Sequence, residues 1–179
     1  MPNPQNKKGL LQFYPHNIIW LGLSVLAIVL DQWTKWIAVS HLKYGEQNPV
    51  MPFLNWTLAH NYGAAFSFLS DAGGWQKYFF TGLAGIVSIV FIFWLMRMPK
   101  KLIILPAAIA LILGGAVGNL IDRVSLGYVV DFIHVYYNNS HFPIFNIADS
   151  AITLGTILLL IDTFFLEKQR IQRAEAQND

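Results

Sequence analysis

The chain has 179 residues, 55% of them hydrophobic and only 12% charged, which excludes an ordinary soluble domain and is typical of a protein that lies in a membrane. The formal net charge is only +2, and the basic residues lie in short clusters at the ends of apolar segments, so nucleic-acid binding is not expected. Cysteine is absent, which excludes disulfides, thiolate catalysis and cysteine-ligated metals.

Four apolar segments have the composition of membrane-crossing helices, since a hydrocarbon core about 30 Å thick needs about 20 helical residues. They cover residues 17–39, 78–96, 102–121 and 149–166. No small-residue cleavage site follows the first segment, so we expect it to remain as an anchor. Asp162 interrupts the fourth, and we expect it to be solvated near the end of the span. The whole chain, residues 1–179, is predicted to form a single mainly α membrane domain with four transmembrane helices.

Lysine and arginine are distributed unequally between the two sides of this arrangement. Eight lie beside the termini and the short turn between the second and third spans, against four on the other side, three in the two longer connections and Lys35 near the end of the first span. By the positive-inside rule, both termini face the cytoplasm and the longer connections, residues 40–77 and 122–148, lie on the outer side. An outward-facing site is then built from these connections and the adjoining helix ends.

Each outer connection contains a segment with the pattern of a β-strand. Residues 54–58 alternate between apolar and polar side chains, and residues 128–137 are rich in β-branched and aromatic types, ending at an Asn-Asn-Ser turn. We therefore expect a small extracytoplasmic β-sheet on the outer membrane face. Aromatic residues of the first connection can form an interfacial belt, which we favour, or a lid over a substrate: Trp56, Phe66, Phe68 and Trp75.

Several ionisable residues lie in or beside the spans, where an Asp costs about 2.5 to 3.5 kcal/mol on insertion scales and requires a partner or a function. Asp31 lies four residues before Lys35, which favours a structural ion pair over a role in a site. Asp122 and Arg123 close the third span, where an arginine is favoured by the helix dipole and can also hold a phosphate or carbonyl group. We favour structural anchoring for this pair.

Asp131 and Asp149 differ from the other acidic residues. Asp131 interrupts an apolar β-like segment, where neither helix capping nor a local salt bridge accounts for it. Asp149 follows Asn146 at the start of the fourth span, so a helix-capping role competes with a catalytic one. A strand, a turn and a return segment can bring the two together. Carboxylates that meet share a proton, and one can activate water while the other protonates a carbonyl oxygen. On pattern alone, both roles stay open.

Four motifs, in order and between the expected spans, resemble the lipoprotein signal peptidase family, also called signal peptidase II. The motifs are Leu30-Asp31-Gln32-Trp33-Thr34-Lys35, Asn61-Tyr62-Gly63-Ala64-Ala65-Phe66-Ser67, Gly118-Asn119-Leu120-Ile121-Asp122-Arg123, and Val130-Asp131-Phe132 followed by Phe145-Asn146-Ile147-Ala148-Asp149-Ser150. The resemblance covers residues 30–153. The second motif of the family usually has Thr where Tyr62 stands here, which puts the packing of that loop in doubt but leaves the aspartates untouched.

The resemblance implies an aspartic endopeptidase of the bacterial cytoplasmic (inner) membrane, with its active site at the outer face. It would remove signal peptides from prolipoproteins by cleaving before a cysteine that carries diacylglycerol, with Asp131 and Asp149 as the catalytic pair. The residues implied to bind substrate or support the site are Asp31, Lys35, Asn61, Gly63, Asn119, Asp122, Arg123, Asn146 and Ser150. The expected partners are lipidated prolipoproteins and membrane lipids, and the chain is expected to act as a monomer without a cofactor.

Two other classes of function remain open at this stage, a transporter or channel and a structural subunit. A small transporter or channel would use Asp31, Lys35, Asp131 and Arg123 as a polar pathway, but these charges cluster at the outer interface and no inverted repeat is apparent. A structural membrane subunit would use the sheet as a docking platform.

A metal site would need the histidines, yet the spacings of His60, His134 and His141 match no zinc motif, so no metal site is expected. The glycines Gly114 and Gly118 favour close packing among the chain's own helices.

Overall fold

The computed structural model describes residues 13–63, 74–100 and 102–175. Within these residues, four helices are long and apolar enough to cross a membrane. They are α1 (Ile18–His41), α2 (Trp75–Met96), α3 (Ile104–Ser125) and α4 (Ile147–Ile161), and α4 continues through a π-helical turn (Asp162–Leu166) into α5 (Glu167–Glu175). The predicted mainly α membrane fold with four spans is confirmed. Phe66 and Phe68 lie outside the described residues.

The helix bounds differ from the predicted spans at the end of the bundle that carries the sheet. Helix α3 runs on to Ser125, so Asp122 and Arg123 are helical and do not belong to the following connection. The helix ends where the backbone nitrogens of Leu126 and Gly127 both donate to the carbonyl oxygen of Asp122. Gly127 has φ +88, a left-handed conformation that stops helices and suits glycine. Hydropathy alone missed this last turn because its side chains are polar.

Within the described residues, four short strands form one antiparallel sheet in the order β1-β2-β3-β4. The strands are β1 (Asn48–Met51), β2 (Leu54–Asn61), β3 (Val129–Tyr137) and β4 (Ser140–His141). Strands β2 and β3 contain the two predicted segments and pair with Ala59 opposite Asp131. Asn138 has φ +50 in the turn to β4, a conformation that asparagine tolerates better than most residues. The small predicted sheet is therefore confirmed.

Helix α3 lies at the centre of the bundle, in contact with α1, α2 and α4. Glycines on several of its faces allow these close approaches. A Cβ at Gly114 would lie 2.8 Å from the Cβ of Ala27 and from the backbone oxygen of Ser24 on α1, and one at Gly115 would meet the backbone oxygen of Ala148 on α4. Gly114 therefore has the packing role expected for it, and any larger residue would push the helices apart.

The sheet is attached to the bundle through the beginning of β3. Val130 and Phe132 pack with Ala38 of α1 and Leu58 of β2 in a buried cluster. Strand side chains alternate between the two faces of a sheet, so Asp131 points to the opposite side from these two anchors. The apolar contact with α1 thereby directs the carboxylate of Asp131 toward the ends of α3 and α4.

Asp162 was predicted to be solvated, and this was wrong, because its side chain is buried. Arg170 holds it with two hydrogen bonds, from Nη1 to Oδ1 at 2.8 Å and from Nη2 to Oδ2 at 2.7 Å. Positions eight apart diverge by about 80° on a regular α-helix. The π-helical turn inserts one extra residue, which brings Arg170 back over the same face as Asp162. The burial depends on this turn, which the sequence pattern did not predict.

Candidate active site

Asn146 connects the two aspartates that the sequence singled out. Its side-chain nitrogen donates to Oδ1 of Asp131 at 2.7 Å, and its backbone nitrogen donates to Oδ2 of Asp149 at 3.3 Å. The side-chain oxygen of Asn146 in turn accepts from the backbone nitrogen of Asp149, which completes a capping box at the start of α4. The predicted capping role is confirmed. It does not exclude chemistry, because Asp149 caps the helix while its carboxylate shares Asn146 as a hydrogen-bond donor with that of Asp131.

Asn119 of α3 supplies a second side-chain amide, which bonds to both Asp149 and Asn146. Its Nδ2 donates to Oδ1 of Asp149 at 2.8 Å, while its Oδ1 accepts from Lys35 at 2.9 Å and from the side chain of Asn146 at 3.1 Å. Two donors at the oxygen leave only one orientation for this amide, in which the NH2 group faces Asp149. Lys35 therefore acts on the aspartates through Asn119 as well as through its charge.

Asn61 is oriented in a similar way on the other side of Asp131. Its Nδ2 donates to Oδ2 of Asp131 at 3.1 Å, and its Oδ1 accepts from the backbone nitrogen of Gly63 at 3.0 Å. Arg123 donates to the carbonyl oxygen of Gly63 at 3.2 Å, which ties this turn to the end of α3. Tyr62, the departure from the family motif, is half exposed and contacts the ring of Tyr128. Asn61 and Gly63 therefore make these contacts with Tyr62 standing between them.

Lys35 is buried and makes close contacts with three oxygens. Its ammonium lies 2.8 Å from Oδ2 of Asp31, 2.9 Å from Oδ2 of Asp122 and 2.9 Å from Oδ1 of Asn119. An ammonium has three N–H donors, so each is used. The predicted ion pair with Asp31 is confirmed, but the structure adds Asp122 as a second carboxylate that the sequence did not connect to it.

Asp31 and Asp122, the two carboxylates paired with Lys35, also bond to the backbone immediately before Asp149 and Asp131. Oδ1 of Asp31 accepts from the backbone nitrogen of Ala148 at 2.9 Å, and Oδ2 of Asp122 accepts from that of Val130 at 3.0 Å. Each of these residues directly precedes an aspartate of the pair. A single buried ion cluster therefore sets the position of both aspartate-bearing segments relative to α1 and α3.

Gln32 belongs to this cluster and was missed by the sequence reasoning. Its Nε2 donates to Oδ1 of Asp122 at 2.9 Å and to the backbone oxygen of Gly118 at 3.1 Å. The one signal for it in the sequence is its place directly after Asp31 in the first motif. Ser150 was predicted as a site residue, and its hydroxyl donates to the backbone oxygen of Asn146, within the first turn of α4.

The electrostatic surroundings of Asp131 favour its protonated form. Burial raises the pKa of Asp131, and the neighbouring charge of Asp149 raises it further, to about 7 from an ordinary value of 3.8. Hydrogen bonds from Asn61 and Asn146, and the positive charge of Lys35, act in the opposite direction. A carboxyl group with a pKa near neutrality can give and take a proton at physiological pH, as acid catalysis requires.

The histidines lie apart from this cluster. His60 stacks on the ring of Tyr128, and Nε2 of His134 lies 3.0 Å from Nδ1 of His141 on the neighbouring strand. In the part of the chain that the structure describes, no group of three or more histidine, cysteine or acidic residues is arranged to hold a metal ion. The groups beside Asp131 and Asp149 are instead asparagine amides and the cations of Lys35 and Arg123.

Two carboxyl groups bonded to a common residue, one buried and one half-buried, with a further amide donor on the second oxygen of each, can hold one proton between them and polarise a water molecule. The paired arrangement is suited to hydrolysis of an amide bond. The pair lies at one end of the bundle, where α1 and α3 end and α4 begins.

Comparisons with known proteins agree with this chemistry. The family described as Signal peptidase (SPase) II matches residues 23–165. A lipoprotein signal peptidase of Acinetobacter baylyi is 80% identical over the full length of both chains, and one of Acinetobacter baumannii is 81% identical over 98% of this chain and 100% of its own. A solved structure described as a bacterial membrane enzyme is 37% identical, covers 86% of this chain and 93% of its own, and superposes with a TM-score of 0.73. This chain therefore belongs to the signal peptidase II family of aspartic peptidases.

Proposed function

We propose that this chain removes the signal peptide from diacylglyceryl-modified prolipoproteins by cleaving before the lipidated cysteine, with Asp131 and Asp149 as the catalytic pair. The observation that carries the proposal is the bonding of both carboxylates to Asn146. The second oxygen of each carboxylate accepts from another asparagine, that of Asp149 from Asn119 and that of Asp131 from Asn61. The names of the relatives, lipoprotein signal peptidases, support the class of substrate.

The two aspartates differ in the form that their surroundings favour. Asp149 lies in the first turn of α4, where the helix dipole and the donors from Asn119 and the Asn146 backbone stabilise a negative charge. Asp131, whose pKa is raised to about 7, keeps the shared proton in the resting enzyme. In this arrangement Asp149 is the base and Asp131 is the acid at the start of the reaction.

Hydrolysis then proceeds in two steps that need no other group. Asp149 removes a proton from water as the water oxygen bonds to the scissile carbonyl carbon, and Asp131 gives its proton to the carbonyl oxygen. The resulting tetrahedral diol collapses as Asp131 takes a hydroxyl proton back and Asp149 transfers its proton to the leaving nitrogen. The C–N bond breaks, and the amine of the lipidated cysteine is released with the pair in its original state.

The supporting residues keep this geometry while substrate binds. Lys35, Asp31 and Asp122 hold the backbone before each aspartate, and Arg123 holds the turn at Gly63. A substrate that brings a membrane-spanning signal helix and a lipid group supplies binding energy away from the reacting bond, which the chain can use to position that bond. Because one chain supplies every side chain of this site, we propose that it acts as a monomer.

The site lies on the outer side of the bacterial inner membrane in this proposal. Support comes from the excess of lysine and arginine beside the termini and the turn after α2, which by the positive-inside rule marks the cytoplasmic side. The site occupies the opposite end of the bundle, together with the sheet. A prolipoprotein whose signal helix spans the membrane then presents its cleavage point at the same level as Asp131 and Asp149.

Separate replacements of Asp131 and Asp149 by Asn test this function. The enzyme in detergent is incubated with a diacylglyceryl lipobox peptide, and cleavage is followed together with peptide binding and thermal unfolding. We expect each variant to bind the peptide and stay folded but to lose cleavage by at least about a thousandfold, because neither acid nor base can be replaced by an amide. The surface variant Glu46→Gln serves as a control for carboxylate removal and is expected to cleave normally. Normal turnover by either Asp variant would refute the assignment.

A further inference from the structure

The faces of the small sheet are reversed relative to an ordinary half-buried sheet. Leu54 pairs with Val135 and Trp56 pairs with Ile133, so these four side chains share one face. Trp56 is 42% exposed and Val135 is 39% exposed. An antiparallel sheet with one solvated face normally turns its polar side chains outward, so an apolar exposed face indicates a partner.

The opposite face of the same strands is buried, and beyond its apolar anchors Val130 and Phe132 it is polar. Asn55 pairs with His134 directly between those two apolar pairs, and Asn55, Thr57 and His134 are each at most 5% exposed. The oxygen of Thr57 and a ring nitrogen of His134 lie 3.3 Å apart, so this face is bonded internally. The reversal therefore belongs to the pairing register and is not the effect of one misplaced side chain.

The side chains on this side form what we term the apolar face: Met51, Leu54, Trp56, Ile133, Val135 and Tyr137. Leu54 and Ile133 are half-buried, and the other four are exposed. Met51 joins it because it pairs with Leu54. Residues 47–63 and 132–148, which include three of the strands and most of β3, contain no Asp, Glu, Lys or Arg. Exposed edge strands usually carry charged residues that prevent unwanted association. The absence of charged residues from these segments therefore indicates a surface covered by lipid or another apolar group.

The apolar face begins at the proposed catalytic residue Asp131. Ile133, Val135 and Tyr137 follow Asp131 at intervals of two, which places all four on the same side of β3. The shift in register between Trp56 and Ala59 lies in β2, so β3 keeps this alternation without interruption. From Asp131 to Tyr137 the strand extends about 20 Å, enough to accommodate most of a long acyl chain.

We propose that the apolar face binds the acyl chains of the substrate's diacylglyceryl group. The inference rests on the proposed function, because that group is bonded to the cysteine immediately after the scissile bond and so lies next to Asp131. A peptide segment is a poorer occupant of this face, since the backbone groups of β2 and β3 bond to neighbouring strands and leave the N–H and C=O groups of a peptide lying on the face without partners. An acyl chain needs no hydrogen bonds.

Chain-length preference tests this binding directly. Lipobox peptides with long and with short acyl chains are cleaved by the parent enzyme and by a variant with Trp56→Thr and Val135→Thr, since threonine is β-branched and favours strands. We expect the ratio of kcat/KM for the long over the short substrate to fall about tenfold in the variant, because apolar contact is lost along the chain. The control Val39→Thr alters an exposed valine of α1 outside the face and should keep the parental ratio. An unchanged ratio in the double variant overturns the inference.

Photocrosslinking separates substrate acyl chains from bilayer lipid. A lipobox peptide with a diazirine in one acyl chain is bound to the Asp149→Asn variant in nanodiscs, and adducts are located by mass spectrometry. We expect adducts at residues 54–56 and 133–137 that disappear with excess unlabelled lipopeptide. Adducts confined to the helices or to residues 64–73 overturn the proposal, as does equal labelling of the face by a diazirine phospholipid that lipopeptide does not displace. Adducts on the face together with an uncleaved peptide in the parent enzyme would instead refute the proposed function alone.

Discussion

Replacing Asn61 by Leu removes one hydrogen bond to Asp131 while keeping a side chain of similar size. The bond runs from Nδ2 of Asn61 to Oδ2 of Asp131 at 3.1 Å, and it lowers the pKa of Asp131 more than any other contact does. It favours the charged form, so its loss moves the pKa upward from about 7. A hydrogen bond to a charged group contributes about 1.5 to 3 kcal/mol, which corresponds to about 1 to 2 pH units.

The assay is the pH dependence of kcat/KM for a diacylglyceryl lipobox peptide, over a range that brackets the alkaline limb. A pair that works with one shared proton loses activity when Asp131 loses that proton, so the parent's alkaline limb should lie near pH 7. In the Asn61→Leu variant we expect the limb at a pH higher by at least about one unit. The maximum of kcat/KM should also fall, but the pH at the midpoint of the alkaline limb does not depend on that maximum.

A matched control is Asn48→Leu in the neighbouring strand β1. Asn48 donates to the backbone oxygens of Glu46 and Trp56 and lies outside the site, so its loss should leave the limb where the parent has it. A limb that stays in place in the Asn61 variant, or that moves to lower pH, would contradict the assigned role of Asn61. It would also contradict Asp131 as the group that holds the proton.

Three further predictions follow from the buried charges and the close helix contacts. The folded protein keeps a proton on Asp131 up to about pH 7 whereas the unfolded chain releases it near 3.8, so stability falls as the pH rises between these values. Asp131→Asn should then unfold at a higher temperature than the parent above pH 7, by a free energy on the order of 4 kcal/mol, and the gain should vanish at acidic pH. Lys35→Met leaves the buried carboxylates of Asp31 and Asp122 unpaired and should cost about 3 to 5 kcal/mol in chemical unfolding, so a loss below about 1 kcal/mol would argue against the ion cluster. Gly118→Ala places a Cβ 2.7 Å from Oδ2 of Asp31 and should lower both stability, by about 1 to 3 kcal/mol, and cleavage, whereas Gly82→Ala in α2 meets no atom within 4 Å and should be neutral or slightly stabilising.

Local patterns in the sequence were sufficient for most of the architecture. Apolar length identified the four spans, and alternation or β-branched residues identified β2 and β3. The spacing of Asn146 and Asp149 indicated the capping box, because its two hydrogen bonds join residues three apart in one turn. These features depend on neighbours along the chain, so a single sequence contains the information.

Contacts between distant residues were less accessible. The spacing of Asp31 and Lys35 predicted their ion pair, but nothing in the sequence connected Lys35 to Asp122, which lies on another helix. The hydrogen bonds from Ala148 to Asp31 and from Val130 to Asp122 involve backbone nitrogens, and no residue type marks a backbone donor. The resemblance to a family named the side chains of the site without explaining what each one contacts.

The amino-acid sequence by itself determined that this protein crosses a membrane four times, carries a small sheet and places two acidic residues near one end of its helices. Only the tertiary structure decided that Asn146 bonds both of them, that Asp162 is buried against Arg170 and that the sheet turns its apolar face outward. The physical reason is the distance along the chain over which each kind of signal acts. Hydropathy and periodicity act over a few residues, whereas these contacts follow from the glycine-mediated approach of α3 to its neighbours and from the register of β2 on β3.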